Sequence, residues 1–460
     1  MNRWGKKSFT YRFANITAGI LALVLLSILG IAGCDGDSTE VTNEPPPVPS
    51  EPLPADEAVN QDIGQRLEWL CVDPDPGDNV IYYLDFGTTN PPPRIDTLNT
   101  YLYSHDRLEF NATYYWRVTA EDSHGEQAVS PIWSYTTGNF YLIDEWDTQF
   151  ASKVYANDDG LIFVLEDNQG LRIFDITDTS AVGARIDSVG MFYSGAPNYA
   201  IAIDSNFAFL AGDASVDIID ISIPAEPERY FITGQTFYPS NEDVRAIAIV
   251  HDDNSSDRYF VTVSNDASNS YFKTADISGQ DTALWALDGT LLFTGLGVDL
   301  AVSGDYVFVA DSLNGLKAFD ISDLSNPSEV STLPTYGTPN SIFIVGNYAY
   351  IADGTAGLTI VDISNPVSMS IVGTIDTPGT AKDVCVFSDI AFVADYWDGG
   401  LQVIDVSNPA SPTIIDSRGS YGGAFGVYAG EDVIEEETYP LLYFADSYMG
   451  LYVFEYNINQ

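Results

Sequence analysis

The sequence predicts an all-β chain: a small antiparallel sandwich followed by a seven-bladed propeller whose two ends meet. Three observations lead there. A phrase repeats, as Gly-Leu-Thr-Ile-Val-Asp-Ile-Ser-Asn-Pro at Gly357–Pro366 and Gly-Leu-Gln-Val-Ile-Asp-Val-Ser-Asn-Pro at Gly400–Pro409, with weaker copies from Gly170 onward. A fixed period of this length is one supersecondary unit used many times. Each period divides into four short runs rich in β-branched and aromatic residues, parted by Gly, Asn, Asp and Pro. A run near Trp146 has the pattern of a fourth strand and no partners of its own, whereas the last copy stops after a third strand.

The chain opens with Arg3, Lys6, Lys7 and Arg12, then an apolar run from about Ile16 to Leu29. That run is short for a membrane span and suits the core of an export signal. It ends in Ile31-Ala32-Gly33-Cys34, which resembles a bacterial lipobox. The resemblance implies removal of residues 1–33 as a lipoprotein signal peptide, lipidation of Cys34, and a lipid-anchored location in the bacterial cell envelope, outside the cytoplasm; a plain N-terminal membrane anchor is the alternative. Residues 34–54 are polar and proline-rich, Pro45-Pro46-Pro47 among them, and read as a disordered tether.

Residues 55–137 read as the sandwich. Leu67-Glu68-Trp69-Leu70-Cys71 alternates, Ile81–Phe86 is aromatic and β-branched, Tyr114, Trp116, Val118 and Ala120 share a face, and Ile132–Thr136 closes the unit. Trp69 on an early strand and the later Asn111-Ala112-Thr113-Tyr114-Tyr115-Trp116-Arg117-Val118 resemble the immunoglobulin-like fibronectin type III domains of bacteria. That resemblance makes Trp69 the central core aromatic and Tyr114 the corner tyrosine, and implies a spacer or adhesive module.

Residues 138–460 read as the propeller. In one copy Ser341–Val345, Tyr348–Ala352, Leu358–Ile363 and Ser370–Asp376 are four antiparallel strands, hence one blade. The acid ending the third strand recurs at Asp175, Asp220, Asp276, Asp320, Asp362, Asp405 and Glu455. The two long gaps hold insertions at His251–Asp257 and Glu431–Tyr439. Residues 140–148 should complete the C-terminal blade, since an unpaired sheet edge invites aggregation. With Leu-x-Ile-Val-Asp at their heart, the copies resemble the bacterial LVIVD-repeat family, which implies an extracytoplasmic β-propeller without a defined activity.

The formal charge is −48, with 18 Lys and Arg against 66 Asp and Glu. Such a surface argues against nucleic acid as a partner and attracts cations. Cys71 and Cys385 fall in different units and read as buried thiols, with no disulfide. Three histidines, His105, His124 and His251, are too scattered for a Ser–His–Asp or zinc set.

Chemistry could sit in two places. Glu166, Asp311, Asp353, Asp395 and Asp446 end second strands, and Asp299 and Asp383 enter first strands on the same side. They predict a partial crown of carboxylates on one face, a cation or ligand site against the alternative of turn residues. The strand-end acids of the Asp-Ile-Ser-Asn-Pro phrase read as structural, each bonding a backbone N–H two residues on. In the sandwich, Asp73, Asp75 and Asp78 on one loop and Glu121 and Asp122 on a neighbouring one suit calcium, the one cofactor the pattern fits, against an ordinary acidic turn. The function expected is a non-catalytic binding or scaffold protein whose partner is an envelope protein or a glycan. A calcium-dependent lyase or hydrolase at the crown, or a calcium-dependent adhesin, is the alternative. Convergence of three or more of Asp299, Asp311, Asp353, Asp383 and Asp395 would favour the enzyme.

Overall fold

The computed structural model describes residues 43–458, apart from 76–77, 106–107, 147–149, 158–159, 167–168, 176–186, 234–236, 239–241, 252–256, 279–285, 421, 435–436 and 449. The expected signal sequence, Cys34 and the start of the expected tether lie outside the described residues.

The first unit is a two-sheet sandwich. One sheet orders β1 (Ser50–Leu53), β3 (Leu67–Leu70) and β6 (Leu102–Tyr103); the other orders β2 (Ala58–Gln61), β9 (Trp133–Thr137), β7 (Thr113–Glu121), β4 (Ile81–Gly87) and β5 (Arg94–Leu98), with β8 (Gln127–Val129) also on β7. The alternation of β7 turns Tyr114, Trp116, Val118 and Ala120 into a core shared with Trp69, Tyr82, Trp133 and Tyr135. Trp116 and Trp133 lie 4.6 Å apart by ring centroid. The Tyr114 hydroxyl accepts from the Glu109 backbone N–H at 3.1 Å.

The expected tether is shorter than its composition implies. In its described part, Pro46 and Pro49 are buried, the Cys71 thiol reaches the Pro47 carbonyl at 3.2 Å, and β1 pairs with β3. Part of the stretch expected as tether therefore packs on the sandwich, from Pro46 through β1. Proline lacks a donor, so it is tolerated on an edge strand, and its rings supply apolar area that charge-based reading discounts.

From Phe140 onward the described residues form seven four-stranded antiparallel sheets. β10 (Phe140–Trp146) precedes them. β11–β14 are Ala151–Ala156, Leu161–Glu166, Gly170–Asp175 and Asp187–Phe192; β15–β18 are Asn198–Asp204, Phe207–Gly212, Ser215–Asp220 and Glu228–Ile232. β19–β22 are Asp243–His251, Arg258–Asn265, Ser270–Asp276 and Ala286–Phe293; β23–β26 are Gly297–Ser303, Tyr306–Asp311, Gly315–Asp320 and Ser328–Leu333. β27–β30 are Ser341–Val345, Tyr348–Ala352, Leu358–Asp362 and Ser370–Ile375; β31–β34 are Asp383–Phe387, Ile390–Ala394, Leu401–Asp405 and Thr413–Arg418. β35–β37 are Ala424–Ile434, Glu437–Asp446 and Gly450–Tyr456, and β10 joins them as the fourth strand. Phe140 pairs with Tyr456 and Trp146 with Leu451. Residues 147 and 148 lie outside the described residues.

First strands neighbour one another in the order β11, β15, β19, β23, β27, β31, β35, and β35 also lies against β11. The core is divided accordingly. Each apolar cluster lies between two consecutive sheets, as where Phe308, Ala310 and Leu316 meet Ile342, Ala349 and Val361. Another joins Val154, Ile162 and Phe174 to Tyr443, Leu451 and Val453. Second strands are therefore covered on both faces and read as unbroken apolar runs, such as Val307–Ala310. The Glu431–Tyr439 insertion extends β35 and β36 as a longer ladder, with Ile434 opposite Glu437.

Candidate functional site

Five of the strand-end acids behave as turn residues, whereas Glu455 lies buried inside β37. Asp220, Asp276, Asp320, Asp362 and Asp405 each accept from the backbone N–H two residues on, at 2.8–2.9 Å. The bonds from Ser322, Ser364 and Ser407 hold the Asp320, Asp362 and Asp405 carboxyls below the usual carboxylate range.

The expected crown is a different object from a solvated rim of ligands. Glu166, Asp311, Asp353, Asp395 and Asp446 are all buried. Asp353 accepts from the Thr335 and Thr359 hydroxyls at 2.8 and 3.0 Å and from the Tyr336 and Gly337 N–H groups at 3.2 and 3.0 Å. Asp311 accepts from the N–H groups of Leu296, Leu313 and Asn314 at 2.9, 2.9 and 3.1 Å. Asp395 takes the Thr377 hydroxyl and the Gly379 N–H, both at 2.7 Å, and Asp446 takes the N–H groups of Gly422 and Tyr448 at 3.1 and 2.9 Å. Glu166 is paired to Arg172. These Asp residues tie the linker entering their own sheet to the end of its second strand. Burial raises Asp353 and Asp395 above the usual carboxylate range, against the pull of those hydrogen bonds.

Asp299 and Asp383 part from that group. Lys153 on β11 reaches across to Asp383 on β31, with Nζ 2.9 Å from Oδ1, while the Val427 N–H donates to Oδ2 at 3.2 Å. Asp299 accepts from the N–H groups of Leu300 and Ile342 at 2.9 and 3.1 Å. Burial raises its carboxyl, the Lys153 charge opposes this and Asp383 adds to it. Burial works against the charge on Lys153, and Asp383 and Asp299 outweigh it, so its ammonium is held above the ordinary lysine range. Among the described residues no three of Asp299, Asp311, Asp353, Asp383 and Asp395 come within metal reach of one another. The convergence that would favour an enzyme is not formed. Lys153 carries no motif and went unnoticed in the sequence; only its rarity among 66 acids could have marked it.

What the buried acids do is aim side chains. The loops they fix expose Leu296, Leu313, Tyr336 and Tyr448, with Leu313 72 % and Tyr336 75 % accessible. Trp397, two residues beyond Asp395, stands out from a four-residue helical turn, α1 (Tyr396–Gly399), at the same place in its sheet as Leu313 and Tyr448 in theirs. Loops after second strands and linkers before first strands emerge on one side, so these residues share a face.

The sandwich loops do come together. Asp73, Asp75 and Asp78 can each offer an oxygen within 4.8 Å of the others, and Asp78, Asp122 and His124 form a second such group. Asp73 Oδ2 is buried without a hydrogen-bond partner among the described residues. Asp122 is held by the Asn43 amide at 2.8 Å and the His124 and Glu126 N–H groups, both at 2.9 Å. Glu121 is not part of either group: it bonds Gln127 across the β7–β8 hairpin. His124 was missed as a ligand candidate although it follows Asp122 by two residues. His251 lies 3.7 Å from Asp204, which also pairs with Arg258.

The LVIVD repeat model matches residues 199–232, 294–335, 336–377 and 378–418. No curated protein matches the chain. Among solved structures, the β-propeller domain of Myceliophteria thermophila Cps50 (Swd1) is similar with a TM-score of 0.52 at 8 % identity, over 69 % of this chain and 99 % of that one. The WD40 β-propeller domain of Doa1 is similar with a TM-score of 0.50 at 10 % identity, over 68 % and 96 %. At such identity the likeness concerns the fold alone. The neighbours and the strand order together support a β-propeller fold, and four segments of it are similar to the LVIVD repeat.

Proposed function

We propose that this is a non-catalytic binding scaffold of the bacterial cell envelope, lipid-anchored through Cys34 and standing on a fibronectin type III-like spacer. Its closed seven-bladed propeller presents the loop face to an envelope protein. The observation that carries the reading is the set of buried Asp residues that fix exposed Leu313, Tyr336 and Tyr448 on one side. Large apolar side chains exposed on one face offer contact area to a partner, and preordered loops lower the entropy lost on docking. Closure of the ring is supported by β10 on β37 and by β35 lying against both β31 and β11. The spacer reading is supported by the Tyr114–Glu109 bond and by β2 running parallel to β9.

The test is capture from native envelope by the wild-type protein, a Leu313→Ser/Tyr336→Ser variant and a variant altered at Asn347 on the opposite face. The expected result is a partner retained by the wild type and the Asn347 variant and lost by the double variant. Equal retention by all three would overturn the reading.

A second reading, calcium held by the sandwich loops, is supported by the three convergent carboxylates and by Asp73 Oδ2, buried without a hydrogen-bond partner among the described residues. Calorimetric titration of the whole protein with calcium should give a single-site isotherm that Asp75→Asn/Asp78→Asn removes. An absence of heat, with no rise in Tm, ends this reading.

A further inference from the structure

One corner of the loop face is aromatic and unusually organised. Trp397 and Tyr448 are 5.4 Å apart by ring centroid and tilted by 52°; Phe150 lies 6.0 Å from Tyr448, tilted by 56°. Tyr396 meets Trp397 at 5.5 Å and 76°. Trp397, Tyr448 and Phe150 are 48 %, 58 % and 49 % exposed, so all three stand partly in water, with Tyr448 tilted steeply against each of the other two. Such an arrangement makes the walls of a corner and not a flat platform.

The backbone is shaped to build it. Tyr396 adopts φ of 45°, an uncommon conformation for a non-glycine residue, and the strained turn α1 thrusts Trp397 outward. Asp446 fixes the Tyr448 backbone from below. A buried carboxylate, a strained turn and three exposed rings from consecutive sheets are a costly way to decorate a surface with no task.

The chemistry of the occupant follows from charge. Ring faces carry the negative end of the aromatic quadrupole and attract ammonium and guanidinium groups. This molecule already uses rings in that way: Arg245 sits 3.9 Å over Tyr199, Arg418 4.4 Å over Phe454, and Lys273 4.8 Å over Tyr238. Within the corner itself, Lys382 lies 5.5 Å over the Tyr396 ring. With 66 acids against 18 bases, the surrounding field draws cations toward the remaining ring faces. Resting on the reading of this face as the binding face, we propose that the Phe150–Trp397–Tyr448 corner is a cation-accepting pocket that receives a Lys or Arg side chain from a basic segment of the protein partner.

The test is calorimetric titration of the whole protein at about 0.15 M NaCl, near physiological strength. The probes are a decapeptide alternating Lys or Arg with Gly, its counterpart with Gln at every basic position, and a neutral N-acetylglucosamine hexasaccharide. The basic peptide should bind and the Gln peptide should not. Trp397→Ala and Tyr448→Ala should each weaken binding by about tenfold, which is about 1.4 kcal/mol. Trp397→Leu should weaken it as much as Trp397→Ala, because it keeps apolar area without a π-face, and Trp397→Phe should retain most of it. Equal binding by all variants would reduce the effect to diffuse attraction by an acidic surface and overturn the pocket. Ring-dependent binding of the hexasaccharide in place of the peptide would overturn the cationic partner. In the envelope capture above, a partner lost with Leu313→Ser/Tyr336→Ser but kept by Trp397→Ala/Tyr448→Ala would overturn the corner while leaving the face reading standing.

Discussion

Two kinds of aspartate recur in this chain, and their opposite environments give opposite pH behaviour. Asp353 is buried and accepts four hydrogen bonds, so truncating it leaves two hydroxyls and two N–H groups to be resolvated or lost. Asp353→Ala should cost about 2–4 kcal/mol in urea unfolding. Because burial raises its folded pKa above the unfolded value, the native state takes up this proton first as pH falls. Stability from this group therefore grows as pH drops from the raised folded pKa to the ordinary value near 4, and is flat below. Asp405 has its folded pKa depressed by Ser407, so its contribution is present above the ordinary value and is lost as pH falls through the folded one. Urea unfolding between about pH 7 and pH 3 should show the wild type gaining on Asp353→Asn and losing ground to Asp405→Asn. The same slope in both comparisons would show that the two environments are misassigned. The Asp405 role was legible because a strand-end Asp before Ser and Asn-Pro is a local arrangement. The Asp353 role was not: its partners at 335–337 come from the preceding linker, and sequence gives the presence of an acid at a strand end without its burial.

At the scale of elements, the repeating phrase is explained by how one sheet meets the next. In the sheets ending in β14, β22, β26 and β30, the outermost strand abuts the turn after the third strand of the next sheet. A Cβ built on Gly373 of β30 would lie 2.0 Å from the Pro409 carbonyl oxygen, and one on Gly190 of β14 would lie 1.9 Å from that of Pro224. Where β26 has Ser331 at this place, its hydroxyl donates to the Pro366 carbonyl. The Asn-Pro turn is thus an inter-sheet contact as well as a chain reversal. Gly373→Ala should cost about 1–3 kcal/mol by overpacking, and Gly419→Ala, where an added Cβ meets nothing within 4 Å, should be near neutral. Equal stability of the two variants in denaturant would sink this account. Strand order and the β10–β37 pairing were readable because each strand is a short apolar run cut by turn residues, and because the count of third and fourth strands fails to match without the strip at Phe140. The packing of residues 46–53 on the sandwich was not readable, because it rests on buried Pro46 and Pro49 and on contacts distant in sequence, such as the Pro47 carbonyl with Cys71. The aromatic corner was illegible for the same reason: Phe150, Trp397 and Tyr448 are brought together only by the order of sheets.

The whole molecule is a set of thin sheets whose cohesion lies in the apolar layers between neighbours, under a surface of strongly unbalanced charge. Among the described residues the scarce cations are mostly committed: Arg117 and Arg94 to Asp85, Arg258 to Asp204, Lys153 to Asp383, and Lys273 to Glu242 in a pair buried on both sides. Local pairing therefore cannot offset the remaining carboxylates, which repel one another across the surface. Folding concentrates that charge, so repulsion lowers the stability of the compact state at low ionic strength. Salt shortens the reach of repulsion to about 10 Å at 0.1 M and less above it, while buried pairs such as Lys273–Glu242 are barely screened. Raising NaCl from about 0.02 M to about 0.5 M should then lift Tm by several degrees, because the repulsive part is removed and the buried attractive part survives. Glu242→Gln should lower Tm at every salt concentration without changing the slope, since it removes the carboxylate paired with buried Lys273 and leaves its ammonium with the Phe237 carbonyl at 2.9 Å and the Tyr238 and Tyr271 rings. Scanning calorimetry across the salt series decides it: a Tm that falls with salt would mean that surface ion pairs, and not surface repulsion, dominate the electrostatics of this fold.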